Sequence, residues 1–75
     1  MKLIHDLKIK KEYLVRLISG DKKHEIRNND RDYQLHDVLR FEDKGKNFDF
    51  RITHIHSGLG LKEGYVVLSV KQIEY

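Results

Sequence analysis

The residues best equipped for chemistry lie in one run, Gly20-Asp21-Lys22-Lys23-His24-Glu25-Ile26-Arg27-Asn28-Asn29-Asp30-Arg31-Asp32. Lys23, Glu25 and Arg27 share a parity. On a strand they project to one side, while His24 and Ile26 project to the other. Two chemistries fit this pattern. In the first, Arg27 with Lys22 or Lys23 receives a phosphate or a nucleobase edge, and Glu25 orients Arg27. In the second, Glu25 and Arg27 form a structural i, i+2 ion pair that fixes a helix-to-strand corner. Asn29 and Arg31 extend the ligand set toward a base edge. The segment from Asn28 to Asp32 is also ordinary turn chemistry, and Asp30 and Asp32 bracket Arg31 in a way that favours local pairing. Tyr33 and Tyr65 are candidate stacking platforms for a base. Each also suits a core ring with a solvated hydroxyl. Tyr13 reads as core.

Other motifs carry less. His54 and His56 are two apart, so both imidazoles can face one metal ion, but no third ligand stands at a recognisable spacing. His54 also continues the parity of Phe50 and Ile52, which points to partial burial instead. The stretch Ser57-Gly58-Leu59-Gly60-Leu61-Lys62-Glu63-Gly64 resembles a phosphate loop superficially. It lacks the G-K-[ST] ending and no helix follows it. Leu59 and Leu61 suit a lid tucked over the fold. No cofactor is expected.

The elements that must position these groups are legible from periodicity. Leu3 to Ile9 alternates as a short strand. Over Lys10 to Ser19, Tyr13, Leu14, Leu17 and Ile18 fall at the spacing of a helix buried on one face. Gly20 stands where that helix stops, because glycine enters the left-handed conformation cheaply. His24 to Asn28 reads as a second strand and Val38 to Glu42 as a third. Asp43-Lys44-Gly45-Lys46-Asn47 reads as a hairpin loop. Phe48 to Ile55 is a fourth strand with Phe48, Phe50 and Ile52 on one face. Tyr65 to Ile73 is a long β-branched strand. One helix cannot cover both faces of a flat five-stranded sheet. Curling the sheet removes exposed edges. The expectation is α+β: a small mixed five-stranded, partly closed β-barrel with one main helix after the first strand.

Length and composition bound the rest. A chain of 75 residues makes one domain, and so small a domain is marginally stable. Cysteine and proline are absent, so there is no disulfide, and turns rest on Gly, Asn and Asp. No apolar run approaches a membrane span, and the start lacks a signal peptide's apolar core. A cytoplasmic, soluble monomer with no membrane partner is expected. The formal charge of +3 and pI near 9.2 suit a polyanionic partner, or simply solubility.

Gly20-x-Lys22-x-x-Glu25-x-Arg27 resembles the G-x-K-x-x-E-x-R signature of ASCH domains, which belong to the PUA-like superfamily of small β-barrels. His5-Asp6-Leu7-Lys8-Ile9, Glu12-Tyr13, Glu25 through Tyr33 and Gly58 through Leu68 extend the resemblance to a bacterial and phage subfamily of ASCH-related small domains. Lys11 departs by standing where that subfamily often has proline at the helix start. His36 departs by standing where glycine usually precedes Asp37. Histidine tolerates a left-handed turn better than most non-glycine residues. The resemblance implies a PUA-like barrel and an RNA-facing cleft beside the signature. Some similar domains are amidohydrolases acting on a modified cytidine, with a threonine nucleophile matching Glu25 and a lysine matching Lys22. A carboxylate substitutes poorly for that hydroxyl.

The leading expectation is an RNA- or nucleotide-binding module whose ligand residues are Lys22, Lys23, Glu25, Arg27, Asn29, Arg31 and Tyr65. The alternatives are an amidohydrolase acting on modified nucleosides and a protein-interaction module that offers a sheet edge to a partner strand.

Overall fold

A computed structural model describes residues 3–58 and 60–74. The elements run β1 (Ile4–Leu7), α1 (Lys11–Ser19), β2 (His24–Asn28), β3 (Val38–Asp43), β4 (Lys46–Ser57) and β5 (Tyr65–Gln72). The five strands form one mixed sheet in the order β1-β3-β4-β5-β2. Only the β1–β3 pair is parallel among these; β3–β4, β4–β5 and β5–β2 are antiparallel. The sheet curls into a half-barrel around Leu39, Phe41, Phe50, Ile52 and Leu68, all essentially inaccessible to water. Leu14 and Leu17 bring α1 onto that cluster.

The helix buries a narrower stripe than its apolar spacing suggests. Tyr13 and Ile18 lie at its margins and remain exposed, so Tyr13 is not a core residue. The helix has no side-chain N-cap at Lys10. It ends at Gly20 with φ +87°, whose N–H donates to the Leu17 carbonyl. The Lys22 N–H donates to the Arg16 carbonyl at 3.0 Å, which ties the start of the signature to the last helical turn.

β1 is shorter than its alternation predicts. It stops at Leu7 because Lys8 no longer pairs with β3, whose register with β1 ends at Leu7–Phe41. β4 is longer than expected. The β3–β4 hairpin turns at Lys44 and Gly45, both with positive φ, so pairing extends to Asp43–Lys46. A register shift between Ile52 and His54 then inserts one extra residue in β4. Such a bulge reverses the side-chain parity beyond it. Ile55 therefore packs against the core while His54 and His56 face outward. That overturns the expected partial burial of His54.

β1 and β2 are the two edges of the sheet. Near the β1 end, His5 donates from Nε2 to Asp37 Oδ2 at 2.8 Å, with both residues buried. Asp37 also accepts the backbone N–H groups of Leu3 and Gln34, each at 3.1 Å. Burial by itself pushes the Asp37 carboxyl up. The His5 hydrogen bond and those backbone donors outweigh it and hold the carboxyl below its ordinary value. His36, just before it, sits at φ +75°, the left-handed conformation the glycine departure anticipates.

Candidate functional site

β2 places Glu25 and Arg27 on the concave face, opposite Leu68 and Val66 of β5. Glu25 is only 5% exposed. A buried carboxylate needs charged or hydrogen-bonding partners, and Glu25 has two. Lys22 Nζ donates to Oε1 at 2.6 Å, and Arg27 Nε donates to Oε2 at 2.9 Å. The Lys22 ammonium also lies 4.7 Å from the centre of the Tyr13 ring. Arg27 Nη2 donates to the Lys8 carbonyl at 2.9 Å, just past the end of β1. The signature is thus a closed ionic cluster, with Glu25 at its centre.

Hollows open on either side of it. The first, about 490 Å³, lies between the end of α1 and the later part of β5. Ile18 and Val70 offer it apolar surface over the buried Leu17 and Phe50, and Lys22, Lys23 and Lys71 line it as cations. The second, about 370 Å³, lies between the end of β1 and the turn after β2. Lys8, Arg27, Asp30, Arg31 and Tyr33 line it.

The expected ligand residues therefore divide. Lys22 and Lys23 border the first hollow, and Arg27 and Arg31 border the second. Glu25 holds one cation of each group. It is Lys22 rather than Lys23 that reaches Glu25, because the chain leaves the helix through a turn before the strand parity begins. Asn29 acts as a turn brace: its Oδ1 accepts from the Tyr33 N–H at 3.3 Å, and its N–H donates to the Gly64 carbonyl at 2.8 Å. Tyr65 pairs with Asn28, which has the opposite parity to Glu25 and Arg27, so it lies on the other face of the sheet. Tyr33 is buried, edge-on to His5 at 4.9 Å between ring centres. Burial pushes its phenol above the ordinary value, against the opposing charge of Arg27.

Sequence reasoning missed three contributors. Tyr13 supports Lys22 through its ring face. The Lys8 carbonyl is a backbone group, and residue type gives no signal for it. Lys71 was readable only as the continuation of the β5 alternation. Of the loop lid, Leu61 is half-buried, and Leu59 lies outside the described residues. Among the described residues, no set of three or more His, Cys, Asp or Glu side chains is placed to hold a metal ion. No described helix is long and apolar enough to cross a membrane.

The fold and this cluster define a small α+β half-barrel domain whose two sheet edges meet around a buried glutamate. Residues 4–70 match the family described as "Domain of unknown function (DUF3850)". The chain belongs to that family. No curated protein matches it.

Proposed function

We propose that the domain binds single-stranded RNA or a nucleotide in the hollow between α1 and β5. The observation that carries this reading is the lining of that hollow. Lys22, Lys23 and Lys71 line it together with apolar surface from Ile18 and Val70, in a volume of about 490 Å³. Small-ligand sites are typically apolar clefts of roughly 300–1,000 Å³ with a few placed polar groups. A base suits the apolar floor and phosphates suit the ammonium groups. The resemblance of Gly20 through Arg27 to the ASCH signature supports the same reading, and with it a PUA-like assignment of the half-barrel. Glu25 serves as the orienter that fixes Lys22 at the rim of the hollow. An amidohydrolase reading is less supported, because both Glu25 oxygens are engaged by Lys22 and Arg27.

The closed geometry of those contacts favours a second reading. Here the Lys22–Glu25–Arg27 cluster is a structural clasp and nothing more. One experiment separates the two. Lys23 and Lys71 line the hollow but take no part in the cluster. The Lys23→Ala/Lys71→Ala double variant should keep its urea midpoint and lose single-stranded RNA affinity. The salt slope should flatten by about 1.4, at about 0.7 per lost phosphate contact. RNA binding that is absent, or unchanged in the variant, leaves only the clasp.

A further inference from the structure

The second hollow takes no part in that reading, and it is built differently. Tyr33 forms one wall. The residue is 5% exposed, yet its hydroxyl has no protein partner among the described residues. No buried side-chain nitrogen or oxygen among them is left unpartnered, so the phenol oxygen keeps some access to solvent, and Tyr33 lines the hollow.

Arg27 lines the same hollow. Its Nε is held by Glu25 and its Nη2 by the Lys8 carbonyl. A guanidinium carries five N–H donors, so others remain after these two bonds, and the held side chain has little conformational freedom left to lose on binding. Arg31 borders the same space and stays exposed. Asp30 lines the hollow as well, between the two arginines in sequence. Lys8 adds a further cation and Asp6 a further carboxylate at the margin.

We infer that this hollow is a phosphate-monoester site, with Arg27 and Arg31 on the phosphate oxygens, the Tyr33 hydroxyl as a further donor and Asp30 accepting from a neighbouring ligand hydroxyl. The fork of a guanidinium matches phosphate geometry. A monoester carries about −1.5 to −2 charge at neutral pH, whereas a strand-internal phosphodiester carries one. Two guanidinium groups and a phenol donor favour the more highly charged group. The rim carboxylates disfavour anions that bring no hydroxyl or amine to meet them. The monoester can belong to a free nucleotide or to the phosphorylated end of an oligonucleotide. The inference does not rest on RNA binding beside α1, since different residues line that hollow.

The test is an NMR titration of the ¹⁵N-labelled chain, following the Arg27 and Arg31 Nε–Hε signals. Adenosine monophosphate should shift both, and adenosine should shift neither. Arg31→Ala should weaken the monophosphate about tenfold, the equivalent of one charge-assisted contact. Tyr33→Phe keeps the buried ring and should weaken it about threefold with an unchanged urea midpoint. The Lys23→Ala/Lys71→Ala variant should bind the monophosphate as the parent does. A short RNA with a 5′-phosphate, compared with its 5′-hydroxyl twin, identifies the source. Tighter binding of the phosphorylated strand than of the mononucleotide marks a strand end, and the reverse marks a free nucleotide. The inference is overturned by silence at Arg27 and Arg31 into the millimolar range. It is equally overturned by an equal response to adenosine, or by shifts confined to the hollow beside α1.

Discussion

The Arg27 guanidinium donates to the Lys8 carbonyl at 2.9 Å, so a side chain from one sheet edge grips the backbone beyond the other. A curled sheet that does not close leaves a seam between its edge strands. Here Arg27 bridges that seam while its Nε stays on Glu25.

Arg27→Ala should therefore destabilise the domain. It removes the bridge and leaves buried Glu25 with Lys22 as its remaining ionic partner. A loss of about 2–3 kcal/mol is expected, read from urea unfolding. Arg27→Lys keeps the charge but not the fork, and should fall between the parent and Arg27→Ala. An Arg27→Ala variant as stable as the parent would show that the bridge contributes nothing.

Lys11→Pro should stabilise the domain. Lys11 is the first residue of α1, and Lys10 before it is extended with ψ 139°, a conformation that a following proline permits. Restricting the unfolded chain at a compatible site contributes about 0.4–1 kcal/mol. The weak, exposed contact of Lys11 with Asp43 at 4.0 Å is a small loss against that. A thermal midpoint at or below the parent's would contradict the expectation.

Position 36 should rank Gly above His above Val in stability. His36 holds φ +75° and its N–H donates to the Ile52 carbonyl at 3.0 Å. The left-handed conformation costs a side-chain-bearing residue roughly 1–2 kcal/mol, more for a β-branched one. Glycine avoids that cost but brings about 0.5–1 kcal/mol of extra chain entropy. The gain for His36→Gly should thus be a few tenths to about 1 kcal/mol. Calorimetry of the three proteins checks the order.

The Asp37 carboxyl has a folded pKa below its ordinary 3.8, so between the two values the unfolded chain binds the extra proton. Its stabilisation is complete above the unfolded value and drains away as the pH falls through the folded one. Urea midpoints measured down from pH 5 should fall on this limb, and Asp37→Asn should flatten it. An equally steep limb in Asp37→Asn would assign the acid sensitivity elsewhere.

Tyr33 works at the other end of the scale. Its folded pKa lies above the ordinary 10.0, so the unfolded chain releases its proton first and stability declines as the pH rises past that value. In an ultraviolet titration one tyrosine should ionise after the others, and Tyr33→Phe should remove that late phase.

Local rules settled a good part of this protein before any coordinates. The period of Lys10 to Ser19, the stop at Gly20 and the bounds of His24–Asn28 are short-range properties, governed by propensity and by the cost of positive φ. The left-handed turn at His36 came from the resemblance, where glycine usually stands, and not from local rules. Glu25 and Arg27 were legible as an i, i+2 pair because strand parity is local. Lys22 as the second partner of Glu25, the Tyr13 ring beneath it and the Lys8 carbonyl beyond Arg27 were not legible. Those contacts depend on how a helix leaves its last turn and how far a sheet curls. The bulge that turned His54 outward and the pairing that set Tyr65 on the far face are likewise decided between strands. Residue types establish which groups need a partner. Only the packing of distant segments, where burial makes an unpaired charge costly, decides which partner each one receives.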